Sequence, residues 1–426
     1  MSSSIGLFRY MARSRLLRGA FIGLIASGVG ASMTTPQLTL FLVSDLHLSE
    51  SAAGLYYLTS LTAPIIGFVI GSISDRGRSR MRVFRLCTVV GAIGWLAMAF
   101  ATQAWEPFVI NALLLGAAGA GGAQLQAVVR DELNRHPTPF DHQVVAAIRM
   151  AMSIGWIIGP VIGAPLGAIL GLRGVLIVTA ALMLAGMVPL IGVGLTPALP
   201  RTETRPIAVV TSPRVVRRTS LWPLFIFTAV YVVIMSGEVV KLAYLPLYMN
   251  NQLHLTPLLR GAIIGFQPLV EVLLMPLAAA IAARRGVAPV LFVGGAAAVG
   301  AHLCYAMSGQ VSAPIVLLIA GQVLMSCGIA SFGVLGITVA QRLQPDRIGL
   351  ASSVYLSSFA INSAIGGLIG SIGIVWLGQP HLFWIPAVMS AAGTVALIVF
   401  NAVRPLRTGA VARDVNDVES LAEVEQ

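Results

Sequence analysis

Twelve apolar runs divide the chain, each about 20 residues long, which is enough to cross the hydrocarbon core of a bilayer. Their centres fall near residues 30, 62, 92, 118, 155, 184, 234, 271, 297, 325, 362 and 391. In lipid every backbone N–H and C=O must be satisfied within the chain, so a spanning segment is either a helix or a strand of a closed barrel. Barrel strands are about ten residues long and alternate between polar and apolar. These runs are instead unbroken blocks of Leu, Ile, Val, Ala and Gly. With 57% hydrophobic and 10% charged residues over 426 positions, the chain reads as an all-α membrane protein of twelve transmembrane helices. An even number of spans returns both termini to one side.

The net charge of +11 belongs to the connections. Arg9, Arg13, Arg15 and Arg18 precede the first run, and Arg76, Arg78, Arg80, Arg82 and Arg85 follow the second. The other even-numbered connections and the C-terminal tail hold almost all the rest, while the odd-numbered connections hold only Arg173 and Arg260. By the positive-inside rule both termini are cytoplasmic, and charge spread in this way argues against a nucleic-acid partner. Cys87, Cys304 and Cys327 lie in apolar runs without the spacing of metal ligands and read as small core residues. No metal or cofactor is expected, and no G-x-x-x-x-G-K phosphate loop is present. The first run is too long for a cleaved leader and eleven more follow, so it is expected to stay as a transmembrane helix.

In the fifth run, residues 153–164 read SIGWIIGPVIGA. Gly155, Gly159 and Gly163 recur every four residues and form a side-chain-free stripe that another helix can approach closely, as in any small-residue contact between membrane helices. Pro160 has no N–H to give the Trp156 carbonyl, which predicts a kinked packing seam. The order G-x-x-x-G-P-x-x-G-A resembles the antiporter motif of proton-driven exporters in the major facilitator superfamily, with Ala164 in place of a final glycine. The second run ends in GSISDRGRSR, where Gly71, Asp75, Arg76, Arg78 and Arg80 resemble the superfamily signature G-x-x-x-D-R-x-G-R-R with its second glycine one place early, at Gly77. That resemblance implies a conformational latch. Asp75, with Arg76 beside it, would pair with Arg130 at the cytoplasmic end of the fourth helix and hold that side closed while the outer side is open. The alternative for Asp75 is an ordinary charge at the membrane boundary.

Residues 196–219, rich in Pro, Thr and Arg, read as a cytoplasmic linker between an N-terminal bundle, 1–195, and a C-terminal bundle, 220–404. Residues 405–426 read as a disordered cytoplasmic tail. A shift of 207 residues lays Leu46-His47-Leu48 on Leu253-His254-Leu255, Gly159 and Gly163 on Gly366 and Gly370, and Leu170-Gly171 on Leu377-Gly378. A constant offset over distant regions indicates two parallel six-helix repeats. The second repeat has Ala282 where the first has Asp75.

Four formally charged residues lie well inside the runs: Arg149, Glu238, Lys241 and Glu271. Each would cost roughly 2.5–3.5 kcal/mol at the membrane centre, so they are expected to face the interior or one another. Glu238 and Lys241, the latter the only lysine in the chain, are three apart and can meet on one helical face, as a structural pair or as part of proton coupling. Glu271 stands mid-helix with Gln267 one turn earlier, and a lone carboxyl at that depth suits a group that binds and releases protons. Arg149 lies one turn inside the fifth run and either snorkels to the cytoplasm or faces the pore. Residues 34–37, Thr-Thr-Pro-Gln, mark a place where the first helix either unwinds or kinks. Gln37, Tyr57, Gln126, Arg149, Gln267, Tyr355 and Asn362 are the candidates for holding substrate. Hydroxyls and amides of this kind, set among Tyr and Trp, suit a neutral hydroxylated ligand better than a lipophilic cation.

PQLTLFL in the first run, Arg149 with the glycine stripe, PLYM at 246–249, Glu271 and QRLQPDRIGLAS at 341–352 together resemble the bacterial sugar efflux transporters of that superfamily. The resemblance covers nearly the whole chain. It implies a monomeric inner-membrane protein that exports sugars or glycoside analogues in exchange for protons, with the ligand between the two halves. A drug or amino-acid exporter of the same fold is the alternative. An enzyme is disfavoured, because the runs hold no paired catalytic acids, His cluster or nucleophile and base at catalytic spacing. The arginine distribution makes a direct prediction: reporter fusions after Thr219 and Arg404 read cytoplasmic, and fusions near Asn251 and Gln379 read external. An external readout after Thr219 overturns the topology.

Overall fold

The computed structural model describes residues 2–76, 79–138, 140–194 and 220–406. Gly77, Arg78, the linker 196–219, all but the first two residues of the tail 405–426, and the side chains of Asp75 and Arg76 lie outside the described residues. Every regular element among them is helical, and eleven helices are long and apolar enough to cross a membrane. The first four are Arg15–Ser44, Glu50–Ser74, Arg80–Ala99 and Glu106–Arg135. The next, Asp141–Met187, has 47 residues. At 1.5 Å per residue it would be about 70 Å long, against a core of about 30 Å, too long for one span.

Gly171, at φ 74° and ψ 166°, breaks it. The two arms, the fifth and sixth spans, both fold back along the first. In the fifth, Gly155 meets Gly28 and Gly163 meets Met33, a register that runs parallel to the first span. In the sixth, Gly186 meets Gly23 and the Thr179 hydroxyl donates to the Gly30 carbonyl at 3.1 Å, a register that runs the other way. The spans therefore number twelve. The last six are Trp222–Asn251, Pro257–Arg285, Val287–Met307, Pro314–Leu343, Ile348–Trp376 and Trp384–Val403. The first span stays helical through Pro36, with the Thr35 hydroxyl donating back to the Ala31 carbonyl at 2.7 Å, so it does not unwind at residues 34–37.

The offset of 207 reappears in the backbone. His47 has φ 54° and His254 φ 48°, while Gly171 has φ 74° and Gly378 φ 67°. Non-glycine residues seldom adopt positive φ. After each histidine the chain closes the same loop, Leu48 N–H to Leu42 C=O at 3.0 Å and Leu255 N–H to Met249 C=O at 2.9 Å. The fold is two six-helix repeats.

The glycine stripe forms the predicted seam. A Cβ on Gly155 would stand 2.6 Å from the carbonyl carbon of Gly28, and one on Gly159 would stand 2.7 Å from the Val29 oxygen, so neither position admits a side chain. Ser32 locks the approach, lying 2.8 Å from the Gly155 carbonyl and 2.7 Å from that of Gly28. On its other side the fifth span meets the eighth, where Gly261 packs on the Pro160 carbonyl and a Cβ on Gly265 would lie 3.0 Å from the Ile157 oxygen. The fifth span is held between the first and the eighth.

At the end away from the termini the two repeats are joined by hydrogen bonds. Tyr244 donates to the Glu50 carbonyl at 3.1 Å, Ser371 to the Ser51 carbonyl at 2.7 Å, Gln379 to the Glu50 carboxylate at 3.2 Å and, deeper, Ser363 to Ser60 at 3.0 Å. Among the described residues these are the hydrogen bonds between the first six spans and the last six.

Overpacking a seam of this kind costs about 1–3 kcal/mol or more. Gly159→Leu is expected to lower the thermal midpoint of the purified protein by several degrees. Gly119→Leu, at a position with nothing within 4 Å of a Cβ, should leave it unchanged. Equal midpoints would refute the seam.

Candidate functional site

A cavity of about 340 Å³ lies between the repeats, beside the seam. Its wall is built from Pro36 of the first span, Ser153, Trp156 and Pro160 of the fifth, Glu238 of the seventh, Gln267, Pro268 and Glu271 of the eighth, and Phe359 of the eleventh. Trp156 and Phe359 supply broad aromatic surface, and the carboxyl groups come from the second repeat.

Lys241 is fully buried behind this wall. Its ammonium donates to Glu238 Oε1 at 2.7 Å and also to Gln267 Oε1, and Gln267 Nε2 donates to the same Glu238 oxygen at 3.2 Å. Ser326 of the tenth span anchors the eighth here by donating to the Gln267 carbonyl at 2.8 Å. The spacing of three along the seventh helix brings Glu238 and Lys241 onto one face, and the amide of the eighth closes the triangle. A buried ion pair persists only where its remaining hydrogen-bonding capacity is met, and Gln267 meets much of it. Both amide atoms of Gln267 are thereby committed within the protein. Glu271 lines the cavity and is in no ion pair among the described residues.

The other candidates are dispersed. Gln37 faces a small void of about 20 Å³ shared with Pro160 and Arg260, and donates to the Met33 carbonyl at 3.2 Å. Tyr57 is buried with its hydroxyl 2.9 Å from that of Thr39. Tyr355 packs against Tyr231 and Phe227 in the core of the second repeat, donating to the Phe332 carbonyl at 3.0 Å. Asn362 is buried two turns further along the same face of that helix. Gln126 is half-buried, while its neighbour Gln124 accepts from Ser74 at 2.5 Å. Arg149 is exposed and shares with Arg130 an open cavity of about 590 Å³. The partner expected for Arg130, Asp75, has its side chain outside the described residues; one residue on, Asp131 pairs with Arg80 at 3.0 Å and ties the fourth span to the third.

Sequence reasoning missed Trp156 and Phe359, whose orientation toward the cavity is set by helix packing. It also missed the coupling of Gln267 to the ion pair. The only available signal was that Gln267 and Glu271 lie one turn apart.

Two six-helix repeats around a central cavity that holds buried charge define a membrane transport protein, not an enzyme. The sequence pattern of the Major Facilitator Superfamily matches residues 20–312 and 230–417, and the chain belongs to that family. It is 26% identical to sugar efflux transporter A of Dickeya chrysanthemi over 376 residues, 86% of this chain and 91% of that protein. It is 24% identical to a putative sugar efflux transporter of Deinococcus radiodurans, over 88% of this chain and 95% of that one. Among solved structures, the nucleoside transporter NupG superposes with a TM-score of 0.73 at 16% identity, covering 91% of this chain and 98% of that one. The peptide transporter POT in complex with sulfate superposes with a TM-score of 0.75 at 15% identity, covering 93% and 96%. At such identities these two likenesses concern the fold alone.

Breaking one side of a buried pair costs about 3–5 kcal/mol, because the other charge is left without a partner. Lys241→Met is therefore expected to destabilise the protein strongly, and adding Glu238→Leu should restore most of the loss. Thermal midpoints of the two single variants and the double variant check this; additive losses would refute the coupling.

Proposed function

We propose that the chain exports a neutral sugar or glycoside in exchange for protons, by alternating access across a bacterial inner membrane, with both termini cytoplasmic. The charge arrangement of the cavity carries the reading. Glu238 and Lys241 neutralise each other by direct contact, with Gln267 bonded to both, which leaves Glu271 as the acid that faces the cavity without a cation of its own among the described residues. Trp156 and Phe359 offer aromatic faces suited to the apolar side of a sugar ring, with a few polar groups to fix its orientation. The relatives that carry the name of sugar efflux transporters support the same substrate class.

A neutral sugar carries no charge for the membrane potential to act on, so uphill export needs a group whose protonation alternates between the two sides. One charge moved through 100 mV is worth about 2.3 kcal/mol, which at about 1.4 kcal/mol per tenfold supports roughly a fifty-fold gradient. One carboxyl is enough.

On this reading the bonds from Tyr244, Ser371 and Gln379 close the outer side, and Arg130 and Arg149 stand at an open cytoplasmic mouth. Asp75, Arg76 and Arg130 engage as a latch in the opposite state. The bundles 1–195 and 220–404 are the rocking units, working within one monomer.

Proteoliposome transport tests the proposal, with glucose, lactose and methyl thiogalactoside as sugars and ethidium as the competing cation. Sugars should compete with one another and ethidium should not; the reverse pattern would favour a drug exporter. Glu271→Gln should abolish proton-driven accumulation while leaving energy-independent counterflow within about twofold of the parent, on the ground that sugar exchange needs no net proton step. Unchanged uphill export by that variant would remove Glu271 from the coupling.

A further inference from the structure

Among the described residues nine buried side-chain atoms of the second repeat have no protein partner, and besides single atoms of Thr228, Arg260 and Asn362 five of them sit on three residues: both ring nitrogens of His302, the hydroxyl of Tyr305 and both ends of the Gln322 amide. All three residues are 0% exposed. A sixth such atom is Oε2 of Glu238, the oxygen that Lys241 and Gln267 leave free. Buried donors and acceptors are seldom left unmet, and bound water is their usual partner when protein groups do not reach.

These atoms belong to one neighbourhood. His302 packs against the backbone of Gly237, next to Glu238, so closely that a Cβ there would strike the imidazole. The His302 and Tyr305 rings lie 6.1 Å apart. Tyr305 packs on Gly321, beside Gln322, and the Ser326 hydroxyl lies 2.7 Å from the Gln322 carbonyl and 2.8 Å from that of Gln267. None of the three residues lines the cavity. They stand behind the network of Glu238, Lys241 and Gln267. Around His302 the titratable groups are Glu238 and Lys241 of the seventh span and Cys304 and Tyr305 of its own helix, with the Gln322 amide on the tenth, and Pro386 of the twelfth shares the contact at Gly237.

The row has a direction. His302, Tyr305 and Ser308 follow at intervals of three along the ninth span and the 3-10 turn Ser308–Gln310 that ends it, and Ser308 lies 2.7 Å from the Tyr305 carbonyl and 3.3 Å from the Tyr248 hydroxyl. Gln310, two residues on, is exposed. From His302 to Ser308 the helix rises about 9 Å, toward the end where the two repeats are sealed together.

We propose that water bound among His302, Tyr305 and Gln322 connects Glu238 to the aqueous phase at the sealed end, as a proton path separate from the sugar cavity. The inference rests on the proton coupling proposed above. A proton from bulk water passes along bound water beside Tyr305 to one ring nitrogen of His302. The other nitrogen gives up its proton toward Oε2 of Glu238, which leaves a neutral imidazole in its second tautomer and a neutral carboxyl. No electrons move and no other group is consumed. Lys241 then keeps its bond to Gln267 but has lost its carboxylate counter-charge, and Glu271 is the remaining carboxyl of the cavity able to balance it.

The test uses the full chain in proteoliposomes loaded with a pH-sensitive dye, with whichever of glucose, lactose and methyl thiogalactoside counterflows fastest. Tyr305→Phe, which removes only the hydroxyl, and His302→Leu should each lower sugar-driven proton flux at least tenfold while counterflow stays within twofold of the parent. Radiolytic labelling in oxygen-18 water should mark Tyr305 in the parent despite its burial. If the parent moves sugar without protons, the coupling reading fails and takes the path with it. If the parent couples and Tyr305→Phe couples at the parental rate, or if Tyr305 takes no label, the path alone is overturned.

Discussion

Lipid removes the force that assembles soluble helices, because acyl chains are as apolar as leucine and gain nothing by leaving a helix surface. The close approach of the first, fifth and eighth spans answers that constraint. Gly155 and Gly159 let backbone meet backbone at Gly28 and Val29, and Ser32 adds two carbonyl contacts that lipid cannot offer. Because the fifth span touches the first on one side and Gly261 and Gly265 of the eighth on the other, the same seam joins the two repeats. The cavity opens beside it, with Trp156 and Pro160 in its wall. Contact strength and site geometry thus come from one short stretch of helix.

The second constraint is buried charge. Lys241 is fully enclosed in a region where an unpaired ammonium would be costly, and it is held by a carboxylate three residues away and an amide from the neighbouring helix. This fixes the seventh and eighth spans to each other at the level of the cavity. It also sorts the two acids, since Glu238 is occupied and Glu271 is not. Two carboxyl groups lining one cavity thus meet different surroundings.

The sealed end is built from weaker material. Its four hydrogen bonds between the repeats use side chains of Tyr, Ser and Gln, with backbone carbonyls accepting two of them. At about 0.5–1.5 kcal/mol net apiece, they total on the order of a few kcal/mol. That is the scale at which a second conformation of a two-state protein stays accessible. The close backbone contacts lie within the seam, and side-chain hydrogen bonds join the repeats at the sealed end.

The amino-acid sequence by itself determined the all-helical class, the number of spans and the repeat. Apolar run length and the offset of 207 are properties of the chain read along its length. It also determined the glycine seam, because a period of four on a helix is a face whatever packs on it, and the pairing of Glu238 with Lys241, because residues three apart meet without help from elsewhere. Only the tertiary structure decided which helix fills the seam, that Gln267 completes the ion pair, and that Tyr57 and Tyr355 are held in other contacts while Trp156 and Phe359 face the cavity. In an apolar helix nearly every side chain is compatible with lipid, so hydropathy does not mark the face turned inward; the rotation of each span is set by neighbours far away in the chain. His302, Tyr305 and Gln322 come from two helices and border a third, and they become one cluster only when those helices pack.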